Sequence, residues 1–213
     1  MTTPMTMNRL IHGAVRRDLQ RLDSALAVVA DGDVGRAEEL RRAFANLRRE
    51  LTHHHESEDR WIWPMLADVG ADQDLLGAME SEHESMSTAL QETAAAMDRF
   101  AASGTTTDAA AARESVARTT AVVEHHLRHE EDDLEPVLLP FLESPEWKEV
   151  EKKLSRQPPF VAGAFFAWVT DGMNEEGRTY LRATVPPPVT FVLARVFGRR
   201  YRRTIAPVWR AAS

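Results

Sequence analysis

The chain has no cysteine. That absence removes disulfides, thiolate metal sites, iron–sulfur clusters and cysteine nucleophiles together. It also lacks a basic start followed by an apolar stretch, so no secretory signal is expected. Its longest nearly uncharged apolar run, Phe160 to Val169, is far short of the ~20 residues that span a bilayer. A cytoplasmic protein is the expectation. At 213 residues, 43% hydrophobic and 28% charged, the composition is globular and large enough for a core without covalent staples.

Charge is unevenly spread along the chain. Residues 1–157 carry 18 Lys/Arg against 30 Asp/Glu, a net of −12, whereas residues 158–213 carry 8 Arg against 3 acids, a net of +5. The acidic part argues against a nucleic-acid-binding body. The asymmetry divides the chain into two parts with different roles.

In the first part, apolar residues recur with helical period at Leu10, Ile11, Ala14, Val15, Leu19, Leu22, Leu26 and Val29. The pattern predicts helices over residues 7–29, 36–67 and 73–101, and a fourth from an N-cap at Asp108 to about residue 142, separated by DGDVG, DVG and SG breaks. Short connections between four helices predict an all-α, up-down-up-down four-helix bundle over residues 1–144. Residues 145–213 read as a mostly helical, Arg-rich C-terminal extension packing on the bundle.

Six of the eight histidines lie in two groups, THHHESEDRWIWPML and EHHLRHEEDDLEPVL. Aligned on Pro64 and Pro136, each group has a His ten residues before the proline and a Glu six before it: His54 with Glu58, and His126 with Glu130. Upstream, His12 precedes His54 by 42 residues and His83 precedes His126 by 43. A lone His on one helix and His-x-x-x-Glu on the next therefore occur twice, as an internal repeat. Residues i and i+4 of a helix differ by about 40° around the axis and ~6 Å along it, so both side chains point the same way. Two copies predict four imidazoles and two carboxylates at the bundle axis, with His12 and His54 on one metal, His83 and His126 on the other, and Glu58 and Glu130 between them. Without sulfur, such a set suits iron, manganese or zinc.

The elements IHGAVRRDLQRL, HHESEDRWIWPML, ESEHESM and EHHLRHEEDDLEPVL resemble the hemerythrin-like HHE family of cation-binding bundles over roughly residues 7–142. The resemblance implies a non-haem centre of two iron ions, oxo- or hydroxo-bridged, that meets dioxygen, nitric oxide or peroxide; zinc or manganese are the other metals. Oxygen carriers of that family use a fifth His four residues after the third-helix His, where this chain has Ser87. The four-His, two-Glu set is similar to that of the bacterial iron–sulfur repair di-iron proteins, whose cysteine-containing segment has no counterpart here.

Neighbouring residues fall about 100° away on a helix, so His53 and His125 are expected to face outward. His55 is either an extra ligand or an outer residue. Glu131 rivals Glu130, and the parallel with Glu58 favours Glu130. Glu56, Glu82, Glu84, Glu131, Asp132 and Asp133 read as solvated. Trp61, Trp63, Leu66, Leu138, Leu139 and Phe141 read as core at the end of the bundle. Two divalent ions would bring +4 against −2 from the Glu pair, and a site less anionic than carboxylate-rich ones is expected to favour the ferrous state. The leading functional expectation is a di-iron protein binding or sensing dioxygen or nitric oxide, or handling iron. The alternatives are a peroxide-consuming enzyme and a structural metal-binding scaffold, and no catalytic acid or base stands out. The arginines of the tail are expected to pack over the acidic bundle, with an anionic membrane or partner as the other reading.

Overall fold

The computed structural model describes residues 4–210. Helix α1 (Met7–Leu26) starts where the Thr6 hydroxyl accepts the Arg9 amide at 3.1 Å. Helix α2 (Val34–Ser57) is capped in the same way by Asp33. It passes through a π-helical turn, Glu58–Ile62, into α3 (Trp63–Asp68). Helix α4 (Gln73–Ser103) runs from the Asp72 cap to Gly104, whose φ of +65° favours glycine. A β-carbon there would also stand 2.8 Å from the Val34 amide nitrogen. Helix α5 (Thr106–His129) continues through a second π-helical turn, Glu130–Leu134, into α6 (Glu135–Leu138).

The cap of α5 is Thr105, not Asp108. The Thr105 hydroxyl accepts the Asp108 amide at 3.2 Å, and the Asp108 carboxylate accepts from the Thr105 hydroxyl at 3.2 Å. The acid therefore sits inside the first turn, where it also meets the positive end of the helix dipole.

Helices α1 and α4 each pack against both α2 and α5, closing a four-helix ring. At one end the two turns are joined: the Gly32 amide donates to Gly104 O at 2.9 Å and the Thr106 amide to Asp31 Oδ1 at 2.8 Å. The opposite end gathers the starts of α1 and α4 and the ends of α2 and α5. No strand occurs among the described residues.

Both π turns have the same cause. Pro64 and Pro136 have no amide hydrogen, and their rings clash with a carbonyl one turn back. The helix does not break; it widens by one residue. The Trp63 amide bonds to Glu58 O and the Glu135 amide to Glu130 O, each an i→i+5 bond. Trp63 and Leu66 are buried as expected, whereas Trp61, Leu138, Leu139 and Phe141 are only half-buried, and Trp61 carries Arg60 and Lys153 on its ring face.

The extension comprises α7 (Pro145–Leu154), α8 (Pro159–Val169), α9 (Glu175–Thr184), α10 (Pro187–Val192), α11 (Arg199–Thr204) and α12 (Ala206–Arg210), with a third π turn, Leu193–Phe197, before α11. Helix α7 places Val150 in a cluster with Ile62, Trp63, Leu66 and Leu134. Helix α8 lies on α1, where the buried Trp168 indole donates to buried Asp18 Oδ2 at 2.8 Å. Arg17 holds the other Asp18 oxygen at 2.8 Å and also donates to the Asp171 and Trp168 carbonyls. Arg36 of α2 donates to Val208 O at 2.9 Å.

The cations at this seam thus come from the bundle, reversing the expected arrangement. Arg195, Arg199, Arg200, Arg202 and Arg203 are exposed, and among the described residues none pairs with a carboxylate.

Removing the indole donor leaves a buried carboxylate short of a partner. Trp168→Phe should lower stability by about 1–3 kcal/mol in urea unfolding. Deleting residues 158–213 should uncover the apolar face of α1 and cause aggregation; a monodisperse, equally stable truncation would contradict the packing role of the extension.

Candidate metal centre

At the end of the bundle remote from the paired turns, His12 of α1, His54 of α2, His83 of α4 and His126 of α5 turn their Nε2 atoms toward one another. His12, His83, His126, Glu58 and Glu130 are buried and His54 nearly so. The His12 and His54 Nε2 atoms stand 3.4 Å apart, and those of His83 and His126 3.2 Å apart. Glu58 reaches both pairs, with Oε1 at 3.2 Å from His54 and Oε2 at 3.6 Å from His83. Glu130 does the same, its Oε2 lying 3.1 Å from His12 and 3.8 Å from His126. Asn8 donates to the other Glu130 oxygen at 2.9 Å and so turns the free one inward.

The six residues singled out in the sequence therefore converge. His55 joins them. It is buried, stacks on His83 with centroids 4.2 Å apart, and has an unpartnered Nε2. His83 is held between His55 and the Trp63 ring, 6.0 Å away. His53 and His125 are exposed, as expected, and Ser87 is exposed as well. Two groups offer ligand atoms within 4.8 Å of one another: His12, His54 and Glu130, and His55, Glu58, His83 and His126.

Three outer carboxylates orient the rings. His12 Nδ1 donates to Glu131 at 2.8 Å, His83 Nδ1 to Asp59 at 2.7 Å and His126 Nδ1 to Glu82 at 2.9 Å. Arg16 holds Glu131 at 2.7 Å, and His129 holds Glu82 at 2.8 Å. Reading Glu82 and Glu131 as solvated is thus overturned, because each bonds an inward-facing histidine. Their positions carried a signal: the proline alignment that pairs Glu58 with Glu130 also pairs Asp59 with Glu131. Each of those acids braces the lone His of the opposite repeat.

This bracing decides the tautomers. An ionised carboxylate only accepts, so on the neutral rings of His83 and His126 Nδ1 carries the proton and Nε2 keeps its lone pair. His83 and His126 then face each other across 3.2 Å with two lone pairs and no hydrogen between them. A cation resolves that contact: two nitrogens about 2.1 Å from one ion, at right to tetrahedral angles, stand roughly 3.0–3.4 Å apart. The buried Oε2 of Glu58 and Nε2 of His55 have no hydrogen-bond partner and meet the same need, and Glu130 Oε2 has His12 Nε2 beside it at 3.1 Å. The donor set fits two metal ions.

The electrostatics are strained without them. Burial disfavours charge on His12, but the carboxylates of Glu130 and Glu131 outweigh it and raise its pKa to about 8. Burial, with positive His12 nearby, depresses His54 to about 3. Burial and the neighbouring Glu130 charge push Glu58 well up. Burial opposes ionisation of Glu130, yet His12 and the other imidazoles hold its pKa down. Glu131, also opposed by burial, is held at about 2 by His12 and Arg16.

A family model, the hemerythrin HHE cation binding domain, matches residues 4–138. No curated protein and no solved structure matches the chain.

Metal binding must displace protons here. At pH 7 the metal-free site holds one on His12, whose pKa of about 8 lies above that pH, and burial beside the Glu130 charge favours the protonated form of Glu58. Anaerobic ferrous titrations in buffers of different ionisation enthalpy should report proton release, and affinity should rise from acid pH to about pH 8. A buffer-independent enthalpy would contradict these protonation states.

Proposed function

The chain belongs to the hemerythrin HHE cation-binding family, and from that premise we propose that it holds two iron ions and binds or senses a small oxidant or gas, dioxygen or nitric oxide. The facing lone pairs of His83 and His126, 3.2 Å apart, are the observation that supports the metal reading most directly. His12 and His54 serve one ion, His83 and His126 the other, and Glu58 and Glu130 lie between them. A ferrous pair supplies the electrons that a bound oxidant or gas draws on.

His55 supplies the fifth nitrogen that Ser87 cannot, from α2 instead of α4. It stands with His83 and His126, so two ions held here would be unequal, one with three imidazoles in reach and the other with two. An ion on His12 and His54 would keep more room for an exogenous ligand. Stacking between His55 and Trp63 fixes the His83 ring and keeps water from that side.

Asp59, Glu82 and Glu131 make their histidines more basic donors. Counting only Glu58 and Glu130 therefore understates the negative charge near the ions. These three acids stabilise the ferric state relative to a site with the same inner residues alone.

Elemental analysis should give two irons per chain. Admitting air to the ferrous protein should bring up near-ultraviolet and visible absorption. Colourless protein holding only zinc would end the iron reading, and sustained gas evolution from peroxide, lost in His54→Ala, would favour the peroxide-consuming enzyme. Glu82→Gln and Glu131→Gln should each weaken metal binding about 10- to 100-fold and raise the midpoint potential. An unchanged affinity and potential would remove the outer carboxylates from the account.

A further inference from the structure

The extension leaves its largest apolar side chains uncovered. Phe160 of α8 is 67% exposed and Phe191 of α10 65%, with Val189, Val192, Val196 and Phe197 exposed beside them. The only other large hydrophobics so exposed among the described residues, Val28 and Val34, lie at the far end of the bundle. These residues form one surface because α8 and the Leu193–Phe197 turn cross at glycines. A β-carbon on Gly163 would collide with Phe197, and one on Gly198 would stand 2.6 Å from Ala167 Cβ. The crossing fixes the turn against α8 and leaves Val189, Val192 and Val196, spaced three and four residues apart, on its outer side.

Cations flank this stripe. Phe191, Arg195 and Arg199 recur at four-residue spacing, and Arg200, Arg202 and Arg203 follow, all exposed. From Gly177 to the end of the sequence there is no Asp or Glu. Bare phenylalanine and valine beside unpaired arginine match a surface that has phosphate above and hydrocarbon beneath. A second copy of the chain would set arginine against arginine across a two-fold contact. A nucleic acid would meet the arginines but give the apolar stripe nothing to enter.

We propose that Phe160 and residues 186–203 form a docking patch for an anionic phospholipid surface. Among the described residues no helix is long and apolar enough to cross a membrane; the attachment proposed is peripheral. Phe160, Phe191, Val192 and Val196 enter the headgroup boundary while Arg195, Arg199 and Arg203 meet lipid phosphates. The acidic body, with a net of −12 over residues 1–157, is repelled by the same surface. Binding is therefore oriented, extension first. This reading is independent of the metal assigned to the bundle.

The test is co-sedimentation of the full chain with phosphatidylcholine vesicles, with and without phosphatidylglycerol. Binding should require phosphatidylglycerol and fall with added salt. Arg199→Glu with Arg203→Glu should weaken it at least tenfold. Phe191→Asp should weaken it as well, with helicity by circular dichroism unchanged in both variants, since all three sites are exposed. Failure to bind anionic vesicles at low salt would overturn the proposal. So would binding indifferent to Phe191→Asp, a stable dimer in light scattering that both variants dissolve, or tighter binding to an oligonucleotide that ignores Phe191.

Discussion

The structure turns on a repulsion. Carboxylates on the outer nitrogens of His83 and His126 commit both inner nitrogens to lone pairs, and the bundle then holds those lone pairs 3.2 Å apart. Such an arrangement is costly unless a cation lies between. Much else at this end follows from maintaining it. Asn8 turns a Glu130 oxygen inward, Arg16 holds Glu131 in place, and Trp63 and His55 clamp the His83 ring. The polar cost is met by packing elsewhere, through the buried leucines and alanines along α1, α2, α4 and α5 and through α8, seated by the bond from Trp168 to Asp18.

The two π turns belong to the same design. Each begins at an inner glutamate and ends just before a proline, so the widened turn lies where the helix must present both that glutamate and the acid after it. The position of Pro64 and Pro136 thus sets how the acidic pairs Glu58-Asp59 and Glu130-Glu131 are shared between the inner and outer sides of the centre.

The bundle was readable because its four helices repeat apolar residues with one period and are parted by short Gly- and Asp-containing breaks. The six converging residues were readable because they recur at fixed offsets from proline. What escaped did so for geometric reasons. An ideal helix turns His55 about 100° from His54, which suggests that only one can face inward. The centre is wide enough for the two to straddle it, His54 toward His12 and His55 toward His83. Glu82 gave no periodic signal, since its role depends on α5 lying alongside. Thr105 and Asp108 are both capping residues, and only backbone direction separates them. The seam with the extension was invisible for a similar reason: net charges cannot tell which arginines meet which carbonyls.

Each half of the repeat depends on the other for its bracing. Asp59 belongs to the first half and holds His83 of the second; Glu131 belongs to the second and holds His12 of the first. The exchange gives the centre an approximate two-fold axis of its own, running between the helix pairs. A helical hairpin carrying one copy would have its lone histidine unbraced and its acid without a ring to hold. Only two such hairpins set face to face complete the arrangement, so this single chain has the internal symmetry of a dimer whose subunits have been joined end to end.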